Sequence, residues 1–323
     1  MQRTAVAEME DAFTGIRPIG GAQGPGDPVQ RWQQEWESKV AEAQQGEGAG
    51  GRLAASRCDY GSYLYVALDL VLALITLFVL SIPLIAAVVI AFVATGHNLI
   101  VGGRLNGGLA DWVQSPDLTP VNLLITDGAM LLVLWYRLRR QQLSWSFFGL
   151  DAGLRRFWRD FTRSEPGRMS NAQAILFGLG VGVVALILSV ILGNLLQAAG
   201  LDQSAQDKEL IEPLKKAPLW VVLTMVFGGT FVAPTVEELF FRGYIFRALS
   251  VRKGVPLAYL IAAGAFAAYH FIAPLIPVLF VVGLLLCYAY RRTGNLLANI
   301  TAHAVNNGTA FAIALLIPLL THH

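Results

Sequence analysis

Long apolar runs, broken by proline, glycine, paired arginines or short polar loops, fill the chain beyond residue 58. They lie near 61–95, 119–136, 171–197, 217–249, 255–272, 274–290 and 295–320. A helix needs about 20 predominantly apolar residues to cross a bilayer, and most of these runs reach that length. Lipid offers no hydrogen-bond partner to bare backbone, and the runs are too long and too uniformly apolar for barrel strands, so helices are expected. The predicted fold class is all-α, a polytopic transmembrane helix bundle with seven or eight spans. The count turns on the first run, which as one helix would extend roughly 52 Å against a hydrocarbon core of about 30 Å. It is either one long tilted helix or a pair bent near Pro83.

Residues 1–58 are different in kind. They are rich in Gly, Gln, Glu and Ala, contain no apolar stretch of the type a cleavable leader carries, and are expected to be largely disordered. One short amphipathic helix is predicted within them. Asp27 can cap it, Pro28 suits its first position, and Val29, Trp32, Trp36, Val40 and Ala43 then form one apolar stripe. Such a stripe rests on a membrane surface or a partner, or belongs to a marginal solvated helix. The domain division expected is thus 1–58 and a transmembrane bundle, 59–323.

Charge sets the orientation. Arg137, Arg139, Arg140, Arg155, Arg156, Arg159, Arg163 and Arg168 crowd the segment after the second run, whereas residues 97–118 hold a single arginine. The positive-inside rule makes the first of these segments cytoplasmic. Following the runs onward places Arg252, Lys253, Arg291 and Arg292 on that same side and loop 198–216 outside. Within the basic segment, "SFFGLDAGLRRFWRDF" interleaves aromatic residues with arginines, as a helix lying flat at the interface would. The net charge of +2, with the basic residues explained by topology, removes nucleic acid as a partner. Cys58 and Cys287 make neither a disulfide framework nor a metal-knuckle spacing, and the terminal His322 and His323 carry no assigned role.

With 55% hydrophobic and 14% charged residues, the exceptions to apolarity inside the spans are informative. An ionisable side chain within a span costs at least about 2–3 kcal/mol, which makes it a functional candidate by default. In the C-terminal third these are Glu237, Glu238, Arg242, His270 and His303, with Asn306 and Asn307 as polar companions. Measured from the expected membrane edges, Glu237, His270 and His303 reach a common depth. Glu238 and Arg242 are four residues apart and can pair along one helix face, which leaves Glu237 turned about 100° away and free. His303 and Asn307 share a face of the last span, and Phe266, one turn before His270, can wall its pocket. A carboxylate in a low-dielectric cavity is a good proton acceptor from water, His270 could share that role, and His303 and Asn307 could donate to an oxyanion. That set suits peptide hydrolysis. Alternatively, Glu237, His270 and His303 could ligate a zinc ion that activates the water.

At these residues the chain resembles the CAAX-protease and bacteriocin-processing family, also called Abi, of intramembrane endopeptidases, which includes the Ras-converting prenyl endopeptidases. Three motifs carry the resemblance in order: EExxxR as "EELFFR" from Glu237, FxxxH as "FAAYH" from Phe266, and HxxxN as "HAVNN" from His303. It extends over about 120–320 and includes "FFGLDAGLRRF". The resemblance implies an endopeptidase in which Glu237 and His270 activate water, His303 and Asn307 stabilise the oxyanion, and Glu238 and Arg242 hold the centre together. It also implies a multi-pass membrane protein, of bacterial plasma-membrane type, that faces the cytoplasmic half and acts on a membrane-anchored peptide, with zinc or without it.

Other polar positions are expected to be structural. Asp69, Asp127 and Asn194 fit no motif and should make hydrogen bonds or line a wet vestibule. Gly178, Gly180 and Gly182 of "GLGVGVV" should permit close helix packing. Two rival functions stand beside hydrolysis. A secondary transporter would show repeated halves with paired broken helices, and here the polar set is confined to the C-terminal spans. A catalytically silent scaffold or bacteriocin-immunity-type protein on the same fold is the stronger rival.

Overall fold

The computed structural model describes residues 27–45, 63–101, 104–106, 108–109, 118–140, 161, 163–164, 168–201, 217–253 and 255–321. The expected disorder of the N-terminal segment, the flat interfacial helix at 146–161 apart from Phe161, Cys58 and the terminal histidines lie outside the described residues.

Apart from a two-residue antiparallel ladder, β1 (Ile100–Val101) with β2 (Arg104–Leu105), the described chain is helical. Helix α1 spans Pro28–Gln45 and α2 spans Tyr63–Ala94. The first long run is thus a single helix of 32 residues with Pro83 inside it. Helices α3 (Thr119–Arg140) and α4 (Asn171–Ala198) follow. At the start of α4 the side chains and amides of Ser170 and Gln173 cap each other reciprocally. The next rod, α5, is built from α-helical Leu219–Phe227, π-helical Gly228–Val232, α-helical Ala233–Glu238, π-helical Leu239–Phe246 and α-helical Arg247–Lys253. Helix α6 (Val255–Tyr269), a 3₁₀ turn (Ala273–Leu275), α7 (Ile276–Thr293) and α8 (Leu296–Thr321) complete the bundle.

Five helical stretches among the described residues are long and apolar enough to cross a membrane: Leu68–Ala94, Thr119–Arg137, Asn171–Ala198, Leu219–Val251 and Ala273–Thr293. Seven or eight were expected. One reason is α6, which at 15 residues is about 22 Å long and falls short of the hydrocarbon thickness. It stops because the chain turns at Phe271, whose φ of 56° is left-handed and ends the helix.

Packing of small residues fixes the helices that carry the polar set. A Cβ at Gly178 would come within 2.3 Å of the Ala298 carbonyl oxygen, and one at Gly182 within 2.8 Å of that of Ala302. These two glycines let α4 and α8 touch backbone to backbone. Gly180, on the other face of α4, has no neighbour within 4 Å and plays no such part. In the same way Gly283 lets α7 approach Ala263 of α6, where an added Cβ would sit 3.0 Å from the Ala263 Cα.

Helix α1 docks against the helices that follow it. It is capped as predicted, with Asp27 Oδ1 accepting from the Val29 amide at 3.0 Å. The described part of its apolar stripe, Val29 and Trp32, packs into the core of the bundle. Trp32 is completely buried, stacked on Tyr290 with ring centres 4.7 Å apart and edge-on to Phe246 at 6.4 Å. Arg31 donates to the Gly294 carbonyl at 3.3 Å, Glu35 pairs with Arg247, and Asp27 lies 3.6 Å from Arg291. Burying an indole removes roughly 150–250 Å² from water, a gain of about 4–6 kcal/mol that a solvated stripe would forgo. The side chains of Trp36, Val40 and Ala43 lie outside the described residues.

Two of the three unassigned polar groups are structural, as expected. Asp69, fully buried on α2, pairs with Arg137 of α3 and accepts from the Tyr244 hydroxyl of α5 at 2.5 Å. Asn194 donates to its own helix at the Val190 carbonyl, 2.7 Å away.

Candidate active site

The polar set is assembled around α5. All eight residues of its second π segment, Leu239–Phe246, are buried, so this stretch packs on every side rather than presenting one face. Glu238, just before the segment, and Arg242, within it, pair at 2.9 Å. The guanidinium also donates to the Gly283 carbonyl of α7 at 3.2 Å and lies over the Phe266 ring of α6, 4.4 Å from its centre. One cation thereby ties three helices together.

Glu238 has no exposed surface and needs donors to offset its desolvation. It has three: Arg242, the Asn299 amide at 3.2 Å and His303 Nδ1 at 2.9 Å. A carboxylate only accepts, so Nδ1 of His303 carries the proton and its Nε2 is the nitrogen left for chemistry. That Nε2 lies 3.8 Å from Glu237 Oε2. The gap is too long for a direct hydrogen bond and short enough for one water to touch both atoms. The Glu237 side chain is 15% exposed, and its Oε2 has no hydrogen-bond partner. The two adjacent glutamates thus have opposite surroundings, as their angular separation on the helix requires.

Phe266 is the hub of the histidines. Its buried ring meets His270 edge-on at 4.9 Å and His303 edge-on at 5.7 Å. His270 directly follows α6 and uses Nδ1 to donate to the Phe266 carbonyl at 2.9 Å, which leaves its Nε2 open. Among the described residues it pairs with no carboxylate. The next residue, Phe271, is the one non-glycine with positive φ among the described residues, a strain of about 1–3 kcal/mol held beside this histidine. Asn307 does not meet His303. Its Nδ2 donates to the Gly229 carbonyl in the first π segment of α5 at 3.0 Å, and its Oδ1 accepts from Asn306 at 3.4 Å. One amide N–H of Asn307 remains uncommitted.

The alternative of a three-ligand zinc centre meets a geometric obstacle. Glu237 and His303 approach each other, but His270 does not complete the set, and among the described residues no group of three or more His, Cys, Asp or Glu side chains is placed to hold a metal ion. The donors present among the described residues do not fit zinc.

Asn299 escaped the sequence reading. It sits one turn before His303 on the same face of α8 and grips both Glu238 and the Leu286 carbonyl, at 3.2 and 2.6 Å. The spacing Asn299, His303, Asn307 was the available signal.

Residues 218–309 match the family model described as type II CAAX prenyl endopeptidase, Rce1-like. This segment is Rce1-like. It includes all three motifs and agrees with the resemblance read from them, over a shorter stretch than 120–320. Comparison with curated proteins and with solved structures gives no match. The matched segment runs from the start of α5 into α8 and so takes in the helices that carry the polar set.

Proposed function

We propose that this chain is an intramembrane endopeptidase that hydrolyses a peptide bond of a membrane-associated substrate. The observation that carries the proposal is the pair formed by Glu237 Oε2 and His303 Nε2, 3.8 Å apart, with His303 held from behind by the buried Glu238. Glu237 takes a proton from water, and the oxygen left behind adds to the scissile carbonyl carbon. The oxyanion receives a hydrogen bond from His303 through Nε2 when that nitrogen is protonated, and from the free N–H of Asn307. His270, with Nε2 open, shares the proton transfer with Glu237. Glu237 then passes its proton to the departing amine as the C–N bond breaks. A carboxylate and an amine result. Glu238, Arg242, Asn299 and Phe266 keep the reacting groups in register.

The family description points to the substrate class: a C-terminal peptide segment following a prenylated cysteine. The short α6 and the 26-residue α8, added to the five long apolar stretches, would give seven crossings, with the arginine-rich 137–168 segment on the cytoplasmic side of a plasma membrane and the site reached from that half. The rival is a catalytically silent scaffold or immunity-type protein. Purified protein in liposomes, offered a quenched fluorogenic peptide ending in a farnesylated C-a-a-X sequence, separates the two. Cleavage that vanishes in Glu237→Ala supports the enzyme; an intact peptide at high enzyme concentration supports the scaffold. Crosslinking the inactive variant in native membranes would then identify the natural substrate.

A further inference from the structure

Beside Glu237 lie two polar groups that the scheme above leaves unused. Asp127, on α3, is 4% exposed, and its Oδ2 has no hydrogen-bond partner. Tyr269, the last residue of α6 and the neighbour of His270, has a buried hydroxyl that is likewise unpartnered. Glu237 Oε2 is the third such atom. Helix packing places them together. Leu123 of α3 presses on Gly228 of α5, and one to two turns further along, Met130 packs in one core cluster with Val236 and Phe240. The two helices therefore run side by side in the same direction, and Asp127 falls between these contacts, within about one turn of the level of Glu237. Tyr269 has its ring 5.8 Å from that of Phe241, one turn beyond Glu237. The charge of Glu237 acts on both Asp127 and Tyr269, and that of Asp127 acts on Tyr269.

A buried polar atom left without a partner costs about 1–3 kcal/mol. Asp69 shows how this chain treats an aspartate used for packing: it is surrounded by Arg137 and Tyr244. Asp127 is one helix away, equally enclosed, and receives neither. Three orphan oxygens from three helices, two of them acceptors and one a hydroxyl donor, match the needs of a bound water, which takes two to four polar partners.

We propose that Asp127 and Tyr269 are further residues of the hydrolytic centre, which with Glu237 hold the attacking water. The water gives one hydrogen to Glu237 and one to Asp127, and accepts from the Tyr269 hydroxyl. Its remaining lone pair faces the substrate carbonyl. When Glu237 removes its proton, Asp127 and Tyr269 still hold the oxygen on line as the new C–O bond forms. The function assigned to this water rests on the peptidase proposal; the shared polar site does not.

Asp127→Asn and Tyr269→Phe test this in liposomes with the farnesylated quenched peptide as probe. Each should lower kcat about tenfold or more while KM stays within about twofold, because binding is untouched and water positioning is lost. Asp127→Asn should also raise the thermal midpoint, since it removes one of two like charges enclosed near each other. A midpoint that falls together with activity, as Asp69→Asn should show, would make Asp127 a packing residue and overturn the inference, as would an unchanged kcat in both variants. If the wild-type protein cleaves nothing, the peptidase proposal fails and the site is judged by heat alone. The midpoint shift of Asp127→Asn should then differ between the wild-type and Glu237→Gln backgrounds; equal shifts would overturn it.

Discussion

Two neighbouring glutamates show how little of a residue's role lies in its type. Glu238 is closed in by Arg242, Asn299 and His303, whereas Glu237 keeps an open oxygen beside His303 Nε2. Replacing each by glutamine should separate chemistry from stability. In Glu237→Gln the hydrolysis rate should drop by about 10²–10⁴ with little change in the unfolding midpoint, since the base is lost and no buried partner is stranded. In Glu238→Gln the buried guanidinium loses its counter-charge, so unfolding in detergent should become easier by about 3–5 kcal/mol, and activity should fall with it. Arg242→Ala should behave like Glu238→Gln. The Glu238–Arg242 pair could be read from sequence because both residues lie on one helix, four positions apart. The Glu238–His303 bond could not, since it joins residues 65 apart whose helices meet only through tertiary packing. Distance from the expected membrane edges suggested a common depth for these groups; it did not show that one N–H of Asn307 goes to the Gly229 carbonyl, because that carbonyl becomes available where α5 adopts π winding.

At the scale of helices, the site depends on how closely α8 can approach. Gly178 and Gly182 admit the backbone of α8, and any larger side chain would displace the helix that holds His303. Gly182→Val should therefore cost about 1–3 kcal/mol or more and reduce hydrolysis, whereas Gly180→Val, where nothing lies within 4 Å, should leave both nearly unchanged. Thermal melts and peptide cleavage on the two variants decide the point. The glycine cluster was visible in the sequence as a packing device, but which glycines touch the partner follows only from the rotation of α4. The early end of α6 had no clear signal either. "HFIAP" reads as the tail of one span and the head of the next, and only the left-handed backbone at Phe271 shows that the helix stops before His270.

Across the whole molecule, the chain uses its N-terminal helix to close one end of the bundle. Trp32 lies between Phe246 of α5 and Tyr290 of α7, and ion pairs from Glu35 and Asp27 reach Arg247 and Arg291 near the ends of those helices. Partly exposed ion pairs contribute about 0–1 kcal/mol, so the indole should dominate. Trp32→Ala should lower unfolding stability by about 3–5 kcal/mol, and added salt should matter far less. The helix itself was evident from Asp27, Pro28 and the apolar stripe; its docking was not, because its partners lie more than 200 residues along the chain. The bundle as a whole followed from hydropathy, and its polar centre from the cost of ionisable groups in lipid. What unites these scales is a water held beside Glu237 and His303 within the membrane-spanning bundle. Single-turnover cleavage in ¹⁸O water tests that claim most directly. One ¹⁸O should appear in the new carboxylate of the first product, with the peptide bearing Glu237 unlabelled; an unlabelled first product with ¹⁸O on Glu237 would mean covalent attack by the glutamate and would contradict it.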